Sequence, residues 1–331
     1  MNDYITLIIG IACAGIGGEL FVRGTVGLAH WARVSPGIIG VTIAAFATSS
    51  PELSVSINAA MAGEPQIALG DALGSNVVNV ALILAIALVI SGIRSPRDSV
   101  KRDFPVALLV PFVTGALFLD GVLSRLDGLL MLSLFLGWLI ATVIEARKQR
   151  SATESVPGGH HGWIAAFFCV VGLSFLIAAG NLIVTGARAI AVTFGIDEFI
   201  IGATVVAIGT SAPELATTGI AKFRKQDEIG LGTILGSNIF NGLLIIGVAS
   251  VIHPIAVDQR EVAFTLVFGL IALALTYPTR QGFIGRRKGI ILLLLYAAYI
   301  AIIIQLQAAN NSFPTDRQKQ HFNLHPIQRL T

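Results

Sequence analysis

Slid along itself by 162 residues (202 − 40 = 162), the chain overlays its first half on its second. "GVTIAAFATSSPEL" at 40–53 falls on "GATVVAIGTSAPEL" at 202–215, and without a gap "IALGDALGSNVVN" at 67–79 falls on "IGLGTILGSNIFN" at 229–241. The likeness reaches back to "GGELFVRG" at 17–24 and "AGNLIVTG" at 179–186. Self-similarity of this kind marks a duplicated structural unit. Whatever the first half folds into, the second must fold into as well, and a site built from repeated residues is supplied twice.

Hydrophobic residues make up 54% of the chain and charged residues 12%, with a mean hydropathy of +0.81. That balance points to an all-α polytopic membrane protein, in which apolar runs of about 18 residues or more cross the bilayer as helices. About ten such spans are expected. In the first half they cover 4–29, 37–61, 66–92, 104–120 and 128–146; in the second, 162–194, 198–221, 229–252, 262–278 and 289–307. Residues 1–146 thus form a five-helix repeat with its motif at 37–90, and residues 162–307 a second with its motif at 199–252. An odd number of spans per repeat makes the second copy enter the membrane in the opposite sense, the plan of many secondary transporters.

Charge supports an even count. If alternate connections face opposite sides, one side collects Arg33, the basic residues of 94–102, 147–150 and 222–225, and those of 280–288. The other keeps Arg125, Arg260 and a few in the tail. Excess Lys and Arg marks the cytoplasmic side, which places both termini on the non-cytoplasmic side and residues 147–161 in a cytoplasmic linker. These basic loops are a topology signal, not a nucleic-acid surface. The first span has the acidic flank "MNDY" and reads as a retained helix, not a signal peptide. Cys13 and Cys169 lie in apolar spans and read as small buried hydrophobes. His160 and His161 read as solvated loop residues, and 308–331 as a polar tail.

The repeated motifs carry groups that a bilayer rejects. Pro51 and Pro213 each remove a backbone donor and collide with the carbonyl four residues back, at Ala47 and Gly209. Beside them stand Thr48, Ser49 and Glu52, then Thr210, Ser211 and Glu214. An acidic residue at mid-membrane costs about 2.5–3.5 kcal/mol on insertion scales, so two of them call for a counter-charge. With no Lys or Arg near these positions, a bound cation supplies it. The second motif adds Ser75, Asn76 and Asn79, then Ser237, Asn238 and Asn241; Ser75 and Asn79, four apart, share a helix face. The donor set is all oxygen, which suits Ca²⁺ and Na⁺ over softer metals. Two carboxylates balance one divalent or two monovalent ions, so competition between them is built into the charge count. Simple kinks and internal hydrogen bonds would explain one copy. They do not explain why both copies keep Thr-Ser-x-Pro-Glu and the same interval from Glu to Asn (79 − 52 = 241 − 214 = 27).

These two segments resemble the α-repeats of the cation/calcium exchanger superfamily, which includes the sodium/calcium exchangers. The layout is similar to prokaryotic members that lack a large cytoplasmic regulatory loop, which implies a prokaryotic inner membrane. The resemblance implies a Ca²⁺/Na⁺ antiporter with no cofactor, its ions being substrates. It implies that Glu52 and Glu214 are central Ca²⁺ ligands shared with Na⁺. It further implies ion-facing roles for Thr48, Ser49, Ser75, Asn79, Thr210, Ser211, Ser237 and Asn241, with backbone carbonyls at Ala45, Thr48, Ala207 and Thr210. Several relatives carry Asp at the position of Asn241, where it is linked to potassium-dependent exchange, so Asn here speaks against K⁺ cotransport.

Asp71 is matched by Thr233 and reads as pathway polarity, while Glu19 and Arg23 are spaced for a salt bridge within one helix. Ca²⁺/H⁺ exchange stays open as the rival within the same class, since paired carboxylates can also release Ca²⁺ by protonation. An intramembrane aspartyl protease is disfavoured: "ALGD" at 68–71 lacks the first Gly of the protease element, and Asp71 has no second Asp to pair with. A channel is disfavoured too, because each ligand appears twice and not as repeated rings.

Overall fold

The computed structural model describes residues 3–63, 65–95, 100–152, 162–193, 211–256 and 259–312. Of the expected site residues, Ala207 and Thr210 lie outside this set, as do most of the linker and nearly all of the tail. The first repeat contains α1 (Asp3–Ala32), α2 (Pro36–Thr48), α3 (Ser50–Met61), α4 (Pro65–Ile90), α5 (Asp103–Leu117) and α6 (Arg125–Ala152). The second contains α7 (Gly162–Thr193), α8 (Ala212–Phe223), α9 (Asp227–Ile252), α10 (Gln259–Thr276) and α11 (Arg286–Ser312). Among the described residues, α1, α4, α6, α7 and α9 are long and apolar enough to cross a membrane. The pair α2–α3, bent by 45° at Ser49, makes a sixth candidate span. Helix α6 continues to Ala152 through the basic residues that open the expected linker.

Helices α4 and α9 form the centre and are mostly buried, while α1, α6 and α7 present most of their apolar surface outward. An outward apolar face is what lipid demands of a peripheral helix. Close contact at the centre depends on small residues: a Cβ at Gly232 would lie 2.8 Å from the Gly37 carbonyl oxygen, so α9 and α2 meet backbone to backbone. Each motif region thereby packs on the other repeat, α2 against α9 and α8 against α4.

The equivalent helices α1 and α7 pack on each other along their length. Gly10 faces Ile183, Gly17 faces Gly172 and Phe175, and Gly24 faces Cys169, so the two run antiparallel. The two-residue strands β1 (Ile93–Arg94), β2 (Val122–Leu123), β3 (Ile255–Ala256) and β4 (Phe283–Ile284) tie the repeats at both ends. β1 pairs antiparallel with β4, and β2 with β3. By the 162-residue shift, β3 is the counterpart of β1 (255 − 93 = 162), yet the two belong to different ribbons. Each ribbon buries one side chain from each repeat, Ile93 with Ile284 and Leu123 with Ile255.

Among the described residues, three stretches wind as π-helix: Gly40–Ala44 in α2, Val78–Leu84 in α4 and Phe240–Ile245 in α9. The last two are repeat equivalents (240 − 78 = 162) and contain Asn79 and Asn241. Such turns shift the hydrogen-bond ladder by one residue and are frequent at functional sites.

Candidate functional site

The break that separates α2 from α3 falls at Ser49 (φ −88°, ψ 6°), and Ser211 has nearly the same conformation (φ −84°, ψ 11°) before α8. The prolines then occupy the first turn of the following helix, where no N–H is needed. In the first repeat the interruption precedes Pro51 and is not a kink within a continuous helix. Glu52 and Glu214 consequently sit in the first turns of α3 and α8, where the positive end of the helix dipole favours a carboxylate.

Both carboxylates are 1% exposed. Ser49 Oγ and Ser237 Oγ each lie 3.3 Å from Glu214 Oε1 and 2.9 Å from one another, so two hydroxyl protons are shared among three oxygens. The Thr48 hydroxyl lies within reach of the same carboxylate and donates to the Ala44 carbonyl at 3.0 Å. Residues of both repeats therefore close around Glu214. The Glu52 carboxylate lies close enough to Glu214 and to Asp71 for their charges to interact. Among the described residues, one oxygen on each of Glu52, Glu214, Asp71, Ser75, Ser211, Asn79 and Asn241 is buried without a hydrogen-bond partner. An unsatisfied buried polar group costs about 1–3 kcal/mol, more when charged. All of these atoms can donate electron pairs to a cation, and no Lys or Arg is hydrogen-bonded to any of the site carboxylates Glu52 and Glu214 among the described residues.

The expected residues Thr48, Ser49, Glu52, Ser75, Asn79, Ser211, Glu214, Ser237 and Asn241 are all buried, as is Ala45. The Ala45 carbonyl accepts the Ser49 N–H at 2.9 Å and lies 3.3 Å from the Thr48 hydroxyl. Phe240, next to Asn241, walls the region through edge contacts with Phe135 and Trp138 of α6. Two residues absent from the expected site set join it. Asn76 and Asn238 each donate a side-chain N–H to the other's backbone carbonyl at 3.3 Å, and Asn238 Oδ1 accepts from Asn79 Nδ2 at 3.2 Å. Their signal was the "GSN" shared by both copies.

The family described as "Sodium/calcium exchanger protein" matches residues 3–144 and again residues 164–305. The chain belongs to the sodium/calcium exchanger family. One family unit covers each repeat, so the duplication is of the whole unit and not of the motifs alone. The exchanger is 33% identical to the inner membrane protein YrbG of Escherichia coli over 91% of its own length and 96% of YrbG. It is 26% identical to the sodium/calcium exchanger MaX1 of Methanosarcina acetivorans over 92% of its length and 99% of MaX1. Its fold is similar to a solved structure of the sodium-calcium exchanger NCX_Mj with a TM-score of 0.78 and 30% identity, covering 91% of this chain and 99% of that one. The protein is an integral membrane transporter and not an enzyme, so "ALGD" is part of an exchanger helix and not of a protease.

Proposed function

We propose that this exchanger moves Ca²⁺ against Na⁺ by alternating access, at a midplane site formed where its two repeats meet. The observation that carries the reading is the set of buried, unpartnered oxygens contributed by both repeats around two carboxylates. Ca²⁺ takes six to eight oxygen ligands, and Na⁺ is served by the same hard donors. We assign the ion-facing roles to Glu52 and Glu214 with Thr48, Ser49, Ser75, Asn79, Ser211, Ser237 and Asn241, and to Thr210 and the Ala45 and Ala207 carbonyls by the repeat. The names of MaX1 and NCX_Mj as sodium/calcium exchangers favour Na⁺ over H⁺ as the counter-ion.

The architecture proposed is ten spans in two inverted repeats, in a prokaryotic inner membrane, with both termini on the non-cytoplasmic side. The antiparallel packing of the equivalent helices α1 and α7 supports the inversion, because a repeat in the same sense would set them parallel. The separation of β1 and its counterpart β3 onto two ribbons supports it independently.

The test is ⁴⁵Ca²⁺ uptake into proteoliposomes with Na⁺, H⁺ and K⁺ gradients imposed one at a time. An outward Na⁺ gradient alone drives uptake. Uptake driven only by a pH gradient would instead establish Ca²⁺/H⁺ exchange, and a K⁺ requirement would contradict the reading of Asn241.

A further inference from the structure

Asn76 and Asn238 are repeat equivalents (238 − 76 = 162), and their reciprocal bonds are the kind that form only across a two-fold axis. Their carbonyls lie two residues before the π segments at Val78 and Phe240, where the backbone ladder changes register and accepts a side-chain donor. The pair therefore clasps the seam between the repeats. One of its members does something more. A carboxamide has an oxygen end that can bind a cation and an NH₂ end that repels one. Because Asn238 Oδ1 holds the Asn79 Nδ2, the end of Asn79 left buried and unpartnered is its oxygen.

From this we infer that Asn238 and Asn76 are positioning residues that set which end of the site asparagines faces the transported cation. The mirror bond, from Asn241 Nδ2 to Asn76 Oδ1, is not made in this structure; among the described residues both Asn76 Oδ1 and Asn241 Oδ1 are buried without a partner. Only Asn79 is held. The symmetry of the repeat assigns the mirror bond to the oppositely facing state, in which Asn76 orients Asn241 and Asn238 releases Asn79. The clasp thus hands the oriented amide from one repeat to the other as the transporter turns over. The inference rests on the exchange reading above and adds to it a pair of residues that orient its ligands.

The experiment measures the KM for Ca²⁺ in Na⁺-gradient-driven uptake for the wild type, Asn238→Ala, Asn238→Leu, Asn79→Asp and the double variant Asn79→Asp/Asn238→Ala. Loss of a group that orients a metal ligand costs about 10–100-fold in metal affinity, so both Asn238 variants raise KM at least tenfold. Leucine fills the volume that alanine vacates, so a rise shared by both is not a packing defect. A carboxylate presents oxygen at either end and needs no orienting. The double variant therefore matches Asn79→Asp alone, a coupling that a double-mutant cycle isolates. Two results overturn the inference: KM in the Asn238 variants within about twofold of wild type, or an Asn238→Ala defect that persists in full in the Asn79→Asp background. Failure of the wild type itself to take up Ca²⁺ would strike the exchange reading instead, so the two failures are told apart.

Discussion

Helices α3 and α8 begin with the same Pro-Glu-Leu, run for 12 residues each and hold their glutamates at the same depth of burial. Their surroundings differ. On α8, Pro213, Thr217, Thr218, Ala221 and Lys222 are buried. On α3, only Glu52, Ser56 and Ala60 are, while Ser54, Val55 and Asn58 stand exposed. Val55 is 43% exposed and its counterpart Thr217 0% (217 − 55 = 162). The cause is the α1–α7 pair, which lies across α8: Gly18 of α1 approaches Ala216 and Ile220, and Phe21 and Leu176 join Ala216 in one apolar cluster. Two matching glutamate-bearing helices are thus held in unequal company. Lys222, Arg224 and Lys225 make the covered end of α8 strongly basic.

The largest effect should ignore this inequality. Glu52→Gln and Glu214→Gln each reduce ⁴⁵Ca²⁺ exchange to the level of empty liposomes, because the ion needs both carboxylates whichever helix is covered. Robust exchange in either variant would break the equivalence of the two halves and remove the proposed site.

Thiol labelling reads the inequality directly. In a background with Cys13 and Cys169 replaced by serine, Val55→Cys reacts readily with a membrane-impermeant maleimide and Thr217→Cys slowly. If the state with α8 uncovered is the minor one, at a tenth of the population or less, the rates differ at least about tenfold. Equal rates would mean that the cover over α8 is not a stable feature. The cover itself depends on the tight α1–α7 seam. A Cβ at Gly172 would lie 2.8 Å from Phe21 Cα and closer still to its backbone nitrogen, so neither helix can yield without moving apart. Gly172→Ala should destabilise by about 1–3 kcal/mol, seen as a lower melting temperature, and should raise labelling at Thr217→Cys. An unchanged melting temperature and labelling rate would show that α7 does not hold α1 in place.

The parts of this molecule legible in its sequence are those with a chemical cost or a period. Apolar runs announced the helices, and Glu52 and Glu214 announced the candidate site because nothing but a partner makes a buried carboxylate tolerable. Duplication doubled each signal. What escaped depends on three-dimensional registration. The "GSN" of both copies gave Asn76 and Asn238 equal standing with their neighbours, and no sequence reveals which repeated residue falls on the axis between repeats. The π segments leave no compositional trace, and strands of two residues are too short for one. Position by sequence also misplaced the break in the first repeat, which Pro51 suggested at its own position and the backbone makes at Ser49.

Glu19 shows the same limit and yields the smallest expected effect. Its spacing to Arg23 predicted a bond within α1, and that bond is present. Glu19 also binds Arg224, 205 residues away, which donates from Nε at 2.9 Å and from Nη2 to the other carboxylate oxygen. This ion pair straps α1 to the end of α8, and the repeat does not copy it, since the counterparts of Glu19 and Arg224 are Asn181 and Ala62. Lys222, bonded to Asp227 and to the Gly92 carbonyl, is likewise replaced by Ala60 in the first repeat. The cover over α8 therefore has straps that the first repeat lacks. With Glu19 28% and Arg224 47% exposed, the strap is solvated and weak. Exposed pairs contribute about 0.2–1 kcal/mol, so Glu19→Gln should raise labelling at Thr217→Cys by no more than about fivefold, and less at high salt. An increase well beyond that, or one that persists unchanged at high salt, would mean that Glu19 holds α1 by something other than this ion pair.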